Sequence, residues 1–491
     1  MEEEVHINDL PEEILPYIFD NLALQDLKNV SLVCRLWSEI AFSGRFMSRI
    51  MLRLDFRDGI QNQCERYLLD SNRAYRHIGF YYRSDKLELD TLLSVLEKFE
   101  NSVVTLKICP NYFIMLPDLR LILLQVPNLE SLFIVSRICP DLSRRDAGMS
   151  FPVMRKLKHL YLENDGGLQL DEIDFRVMTP NIVSLDMDCD SERALTVYEH
   201  FSQQLRELAV FFKRDDFFLP FCELRFSQLE VLDFYSDDHQ FEIPNSVQIV
   251  CNFFRKMPKL RKVTLRCNIN EDVLAAITES CPELVTVYLK GDNLGEKSFR
   301  HLGQLKNLKS LKIEGWIRCN ILQGCSPIPS LDQMYLHSVL VDDTQGFFRL
   351  LKDIAPNLRT LEAIESDIDD ECLKYISCNI ASLRSLVLEF CPNLTEEAFS
   401  FMDRLKQLRE LKLGYLDVPS NLFELMPRNS VRHFSLYRCD KLDDAALLVI
   451  ADKFPLLCYM EIASCHKITL EGVTAMRKAL PNTEIESFML F

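Results

Sequence analysis

The sequence predicts an α/β protein in which a short helical unit precedes a curved solenoid, with parallel strands on the concave face and helices on the convex face. Two observations lead to this prediction. An apolar pattern, LxxLxL, returns about every 25 residues along most of the chain, and solenoid proteins are built from repeats of this length. Residues 9–37, ahead of the repeats, instead carry apolar residues at helical spacing.

Composition narrows the classes of protein. Of the 491 residues, 48% are hydrophobic and 26% are charged, which is too apolar for a disordered chain. The formal net charge of −17 disfavours binding to nucleic-acid phosphates. The chain starts with three acidic residues, unlike a secretory signal, and no stretch approaches the roughly 18 apolar residues of a membrane helix. We expect an intracellular protein, in the cytoplasm, the nucleus or both, with no nucleic-acid or membrane partner.

The cysteines indicate a structural role. There are 17, an odd number, and no two of them form a CxxC pair. Zinc sites require closely spaced Cys or His pairs. We therefore expect reduced, mostly buried thiols, with no metal and no other cofactor.

The N-terminal segment predicts three short helices. Its first apolar series runs from Leu10 to Leu22 at helical spacing, the second starts at Leu24, and the third carries Trp37. Asp9 and Glu12 form a capping-box pair at the start of the first helix.

A unit of about 40 residues is too small to bury a good core alone. Because its helices carry apolar residues on more than one face, we expect a partner protein.

The repeats predict strands and helices in alternation. In LxxLxL the fourth and sixth residues point to one face of a short strand, and stacked copies bury that face in a continuous core. The segments 271–282, 396–406 and 443–455 have helical spacing and begin with acidic residues, as suits a helix N-terminus. We place the helical unit at 1–48, a connecting region with two candidate irregular repeats at 49–102, and the solenoid at 103–491. The solenoid contains about 15 repeats and a terminal half-repeat.

Two family resemblances follow from these motifs. The last third of the chain resembles cysteine-containing leucine-rich repeats, in which a cysteine lies three residues after the last strand leucine and is followed by an apolar residue and Thr or Asp. The matching positions are Cys391 with Leu394 and Thr395, Cys439 with Leu442 and Asp443, and Cys465 with Ile468 and Thr469. The N-terminal segment resembles the F-box, which binds a Skp-family adaptor. It matches at Leu10-Pro11, Glu12-Glu13-Ile14, Ile18-Phe19, Leu22, Asp26-Leu27, Val30-Ser31, Val33-Cys34 and Trp37.

An F-box followed by leucine-rich repeats resembles the leucine-rich class of F-box proteins. The resemblance implies the substrate-recognition subunit of a Skp–cullin–F-box ubiquitin ligase, with the adaptor linking the chain to cullin and RING subunits. The chain itself would be non-catalytic, and its repeats would hold the protein substrate. Eight residues would divide between adaptor contact and the small core, and they are Leu10, Pro11, Ile14, Ile18, Leu27, Val30, Val33 and Trp37. Pro16 lies inside the first predicted helix, where proline removes a backbone hydrogen bond.

The solvent-facing strand positions predict a substrate surface. They are acidic in the early repeats and basic in the middle ones, where aromatic residues are interleaved. Our hypothesis is that this basic stripe docks an acidic or phosphorylated substrate segment through charge-assisted hydrogen bonds and rigid aromatic contacts. Its residues are Lys262, Arg266, Tyr288, Lys290, Lys312 and Tyr335. The alternative is a solvated face whose charges pair between neighbouring repeats.

Other functions are weaker interpretations. A leucine-rich-repeat scaffold that acts outside a ubiquitin ligase would share the repeats, and adaptor binding would distinguish the two. An enzyme is disfavoured because the sequence has no HExxH, GxSxG, P-loop or dinucleotide-binding motif. The sequence gives no argument for or against a small molecule in the concave face.

Overall fold

The protein, represented by a computed structural model, divides into two compact units, Met1–Phe217 and Phe218–Phe491. The structure describes residues 7, 10–11, 13–56, 68–71, 73–82, 89–109, 113–135, 137–139, 150–163, 173–212, 215–236, 246–292, 294–417 and 419–488.

The first unit begins with four short helices and continues with alternating strands and helices. Its helices are α1 (Ile14–Asp20), α2 (Leu24–Val30), α3 (Arg35–Ala41), α4 (Gly44–Met47), α5 (Leu89–Phe99), α6 (Leu116–Leu124), α7 (Phe175–Met178) and α8 (Glu192–Phe201). Its strands are β1 (Met51–Phe56), β2 (His77–Tyr82), β3 (Thr105–Cys109), β4 (Phe113–Met115), β5 (Ser131–Val135), β6 (Arg137–Cys139), β7 (His159–Glu163), β8 (Ser184–Asp188) and β9 (Glu207–Phe212). A 3₁₀ turn, Asp215–Phe217, ends the unit.

The three predicted N-terminal helices are present. α1 begins at Ile14, so Pro16 falls in the first helical turn, where backbone N–H groups have no partner within the helix and proline is tolerated. The predicted capping residues Asp9 and Glu12 lie outside the described residues.

The main sheet of the first unit is a parallel ladder in the order β1, β2, β3, β5, β7, β8, β9. It starts at Met51, within the span 49–102 that the sequence analysis sets apart as a connecting region. β4 and β6 form a separate two-stranded parallel pair.

The second unit repeats one strand and one helical segment per turn of the solenoid. Its strands are β10 (Val231–Ser236), β11 (Lys262–Asn268), β12 (Thr286–Lys290), β13 (Ser310–Ile317), β14 (Gln333–Val341), β15 (Thr360–Ile364), β16 (Ser385–Glu389), β17 (Glu410–Gly414), β18 (His433–Tyr437), β19 (Tyr459–Ala463) and β20 (Glu484–Phe488). Its helices are α9 (Phe218–Glu223), α10 (Ser246–Phe254), α11 (Glu271–Ser280), α12 (Thr344–Ile354), α13 (Asp370–Asn379), α14 (Leu422–Leu425), α15 (Asp444–Lys453) and α16 (Leu470–Ala479), and its 3₁₀ helices are Ser298–Gln304, Cys319–Leu322 and Glu396–Arg404.

β10 to β20 pair consecutively and in parallel, and the LxxLxL residues lie in register. Leu386 and Leu388 of β16 pair with Leu411 and Leu413 of β17, and all four are buried. The predicted pattern is therefore confirmed, because the apolar positions of neighbouring repeats form one continuous core.

The helices predicted at 271–282 and 443–455 are confirmed as α11 and α15. The segment predicted at 396–406 is instead a 3₁₀ helix, Glu396–Arg404. The N–H of Ala398 donates to the carbonyl of Thr395 three residues back, and the Thr395 hydroxyl accepts from the N–H of Glu397. These two bonds start the tighter winding.

Acidic pairs at helix starts join neighbouring repeats. At the start of α13, Asp369 caps its own helix by accepting from the N–H of Cys372 at 2.8 Å. The adjacent Asp370 reaches the next repeat, where it accepts from the N–H of Thr395 at 2.8 Å and from its hydroxyl at 2.6 Å. Asp444 binds Thr469 of the following repeat in the same way.

The periodic cysteines pack as small buried groups that donate to nearby carbonyls. The Cys391 thiol lies 3.5 Å from the carbonyl oxygen of Ala363, and that of Cys439 lies 3.6 Å from the carbonyl of Leu413. Burial raises the pKa of Cys391 to about 11, so the thiol stays protonated.

Within the described part of the chain, the acidic, histidine and cysteine side chains form no group that could hold a metal ion. None of the helices described above has the length and apolarity needed to cross a membrane.

The Asp370 link predicts a measurable stability difference. Asp370→Ala should lower the free energy of unfolding by about 1 kcal/mol, because two hydrogen bonds between repeats are lost. The neighbouring Glu371→Ala should change it little, since the ion pair of Glu371 with Lys374 is exposed to solvent. Urea denaturation of both variants checks this, and equal stability of the two would contradict it.

Candidate binding surfaces

The N-terminal helices enclose a small core. Phe19, Leu27 and Phe46 are fully buried there. Trp37 packs edge-on against Phe19, with ring centroids 5.3 Å apart, and Phe46 lies 6.3 Å from Phe19 on another side. Val30 completes the packing as a half-buried neighbour.

The short helix α4 is fixed against α1 by polar contacts. Arg45 forms an ion pair with Asp20 and lies over the ring of Tyr17, 4.9 Å from its centroid. Arg49 donates to the carbonyl of Leu22 at 3.0 Å. These polar contacts add to the packing of Phe46 against Phe19 and hold α4 against α1.

A second set of apolar side chains on these helices points to solvent. Leu32 is 80% exposed, Tyr17 is 62% exposed and Val33 is 61% exposed. We call these residues and their exposed neighbours the N-terminal apolar surface. Its members are Ile14, Tyr17, Ile18, Leu24, Leu32 and Val33. Large apolar side chains concentrated in so short a segment are typical of a protein interface.

The structure divides the eight residues predicted for adaptor contact and core. Ile14, Ile18 and Val33 lie on the N-terminal apolar surface, and Pro11 is also exposed. In contrast, three of the eight belong to the core and Leu10 is half-buried. The three core residues are Leu27, Val30 and Trp37.

The sequence analysis does not include three exposed residues, Tyr17, Leu24 and Leu32, among the candidate adaptor contacts. A signal was present in α1, because Ile14, Tyr17 and Ile18 have the i, i+3, i+4 spacing of one helix face. Leu15 and Phe19 mark the opposite, buried face.

In the second unit, two cations of the basic stripe lie on aromatic rings. The guanidinium of Arg266 lies 4.7 Å from the ring centroid of Tyr235 and 5.5 Å from that of Tyr288. The Lys312 ammonium lies 4.6 Å from the centroid of Tyr288. The Tyr288 hydroxyl donates to the Glu314 carboxylate. The three stripe residues Arg266, Tyr288 and Lys312 are thus brought together on neighbouring strands.

The other two stripe cations face carboxylates. Lys262 lies 3.8 Å from Asp233 and Lys290 lies 3.7 Å from Asp292. The Lys262–Asp233 pair joins neighbouring repeats, as the alternative of a solvated face describes, whereas Lys290 and Asp292 belong to one repeat. Partly exposed pairs of this kind stabilise by only about 0–1 kcal/mol.

Tyr335 lies in register with Lys312 on the next strand, half-buried, and its hydroxyl donates to the side-chain oxygen of Gln333 at 3.3 Å. Burial raises the pKa of Tyr335 and lowers that of Lys312. Both shifts show that this part of the stripe is partly removed from water.

Comparison with known proteins agrees with the N-terminal resemblance. Residues 7–53 match the F-box-like family model. A stretch of 168 residues is 28% identical to F-box/LRR-repeat protein 4 of Bos taurus. The match covers 32% of this chain and 27% of that protein, so the chain aligns with about a quarter of the relative's length.

Solved structures with weak overall similarity include the yeast complex of Rad7 and Elc1, with a TM-score of 0.39 and 14% identity over 96% of this chain and 92% of that chain. An LRR protein of Leptospira interrogans gives a TM-score of 0.31 and 16% identity over 94% and 97% of the two chains. The assignment of the repeats rests on the register of their own strands rather than on these similarities.

The division between core and surface predicts a large loss of stability for a core substitution and almost none for a surface substitution. Phe19→Ala should destabilise the helical unit by about 3–5 kcal/mol, because it leaves a cavity among Leu27, Trp37 and Phe46. Leu32→Ala should have an effect within about 0.5 kcal/mol, because that side chain is in water. Hydrogen exchange of residues 14–47 measures both, and comparable losses of protection would contradict the assignment.

Proposed function

We propose that this chain, an F-box protein with leucine-rich repeats, is the substrate-recognition subunit of a Skp–cullin–F-box ubiquitin ligase, acting in the cytoplasm, the nucleus or both. The observation that supports this most is the N-terminal apolar surface, which lies within the segment that matches the F-box-like model. It provides the apolar contact area that an adaptor protein would cover.

The energetics of the helical unit favour a bound adaptor. If an adaptor covered Leu32 and Val33, the free energy of binding would become more favourable by roughly 25 cal/mol for each Å² of apolar area removed from water. The core beneath them is small, since only a few side chains in α1–α4 are fully buried. Adaptor binding would thus stabilise the same unit that presents the surface.

In this proposal the chain binds and positions but does no chemistry. The adaptor links it to cullin and RING subunits, and a conjugating enzyme bound by the RING subunit transfers ubiquitin. The repeats hold the substrate, with the solvent-facing strand positions as the contact surface.

Adaptor binding should depend on the exposed residues. Leu32→Asp with Val33→Asp should abolish co-purification of a Skp adaptor and cullin, because two charges would be buried against apolar side chains. The variant should keep its fold, since both residues are exposed.

Leu448→Asp is the matched control, because Leu448 is a half-exposed leucine on a helix of the repeats. It should leave adaptor capture unchanged. If neither the wild type nor the control captures an adaptor, the ligase role is wrong and a repeat scaffold outside a ubiquitin ligase is favoured.

We also propose that Arg266 and Lys312 of the basic stripe contact an acidic or phosphorylated substrate segment. Their charges lie on Tyr288, and among the residues that the structure describes no carboxylate lies within ion-pair distance of either, unlike Lys262 and Lys290. An incoming carboxylate or phosphate would gain charge-assisted hydrogen bonds there.

Charge reversal tests this contact. Arg266→Glu with Lys312→Glu should weaken binding of a fluorescent hexaglutamate peptide at least tenfold, since attraction becomes repulsion. Lys262→Glu with Lys290→Glu carries the same change in net charge and should weaken it less. Equal losses in fluorescence anisotropy titrations would indicate diffuse attraction and contradict the specific contact.

A further inference from the structure

One backbone position in the second unit repeats with a left-handed conformation. It lies directly after the strand in five repeats and within the longer strand β14 in a sixth, and φ is between 47° and 54° in all six. These residues are Ser338, Glu365, Phe390, Tyr415, Arg438 and Ser464. Gly315 occupies the corresponding place in an earlier repeat with φ of 93°. The solenoid geometry therefore imposes this conformation, because the N–H of the residue donates to the carbonyl of the next strand, as Tyr415 does to Tyr437 at 2.8 Å.

Three successive repeats fill the position with large side chains. Left-handed backbone suits Gly and Asn, and bulky residues adopt it rarely. Phe390, Tyr415 and Arg438 therefore run against the local conformational preference. Side chains that break a local rule without a folding advantage mark candidate functional sites.

These side chains form an aromatic platform together with Tyr437. The rings of Phe390 and Tyr415 stack with centroids 3.5 Å apart, and Tyr437 meets Tyr415 edge-on at 5.2 Å. Phe390 is 38% exposed and Tyr437 is 40% exposed. The Arg438 guanidinium lies 5.5 Å from the Tyr415 centroid, so the platform already accommodates a cation.

The carboxylate of Glu389 borders the platform, within the electrostatic influence of Lys412 and His337. The side chain of Glu389 leans over Gly414, where a Cβ atom would come within 2.8 Å of its Cγ. Among the residues that the structure describes, Glu389 makes no ion pair. Burial, and to a lesser extent the neighbouring Glu362, raises the pKa of Glu389, while Lys412 and His337 act in the opposite direction. An added cation would act in the same direction as Lys412 and would stabilise the ionised carboxylate.

The surrounding face is acidic. Among the solvent-facing positions of β15–β20 and the residues that directly follow these strands, seven are glutamate and two are lysine or arginine. Of the two basic residues, Lys412 pairs with Glu410 at 3.1 Å. This surface therefore attracts basic segments and repels acidic ones. Its charge is opposite to that of the basic stripe.

We propose that Phe390, Tyr415, Tyr437 and Glu389 form a docking site for a basic segment of a partner protein. One Lys or Arg side chain of that segment lies over the exposed rings with its charge against Glu389, and flanking basic residues face the other glutamates. The inference rests on the proposed function in one respect, since it assigns to the repeats a second, basic segment of the substrate beside the acidic one at the basic stripe.

The test uses the 491-residue chain alone and two fluorescent probes, hexaarginine and hexaglutamate. Tyr415→Asn removes the central ring while suiting the left-handed backbone, so the melting temperature should not fall. Glu389→Gln removes only the charge. Each substitution should weaken hexaarginine binding at least fivefold in anisotropy titrations and leave hexaglutamate binding unchanged.

Two matched controls separate a site from general attraction. Ser464→Asn introduces the same residue at the equivalent backbone position two repeats further along, and Glu484→Gln removes a glutamate at the last strand. Ser464→Asn should bind hexaarginine like the wild type, and Glu484→Gln should weaken binding clearly less than Glu389→Gln does. Equal weakening by the controls, or wild-type affinity in Tyr415→Asn, would overturn the docking site.

Adaptor capture is measured separately on the same preparations. A wild-type chain that captures the adaptor but does not bind hexaarginine would overturn this inference alone. A chain that binds hexaarginine as predicted but captures no adaptor would support the docking site and contradict the ligase role.

Discussion

The architecture depends on the pairing of each strand with its counterpart in the next repeat. A five-residue strand such as β16 buries two leucines. One repeat alone can neither bury this apolar face nor supply hydrogen-bond partners for the backbone groups of the strand. Parallel pairing with β17 aligns Leu386 with Leu411 and places the backbone of one repeat against the next. The intervening side chains are then held at the strand spacing of about 4.8 Å. This spacing lets Arg266 and Lys312 share Tyr288, and it brings Phe390 onto Tyr415.

Much of this fold follows from sequence because burial imposes a strict period. The LxxLxL series predicts the strands, and acidic residues ahead of apolar spacing predict helices such as α11. The 3₁₀ helix at Glu396–Arg404 is missed, because its apolar spacing resembles that of an α-helix and the difference arises from hydrogen bonds at Thr395. The strand at Met51 lies where the sequence analysis expects candidate irregular repeats, and its register in the ladder is given by its pairing with β2.

The binding surfaces are less predictable for two physical reasons. Helical spacing shows that α1 has two apolar faces, but the core side is decided by Phe46, which comes from a later helix. Likewise, Phe390 and Tyr415 look like ordinary loop residues in the sequence. Their left-handed backbone and stacked rings depend on the pairing of whole repeats.

The central claim is that the N-terminal helices dock onto a Skp adaptor. Hydrogen–deuterium exchange of the 491-residue chain, with and without purified adaptor, tests it most directly. We expect new protection across Ile14–Asp20 and in the segment around Leu32, with unchanged exchange in β15–β20. Protection confined to the repeats, or none at all at saturating adaptor, would contradict the account.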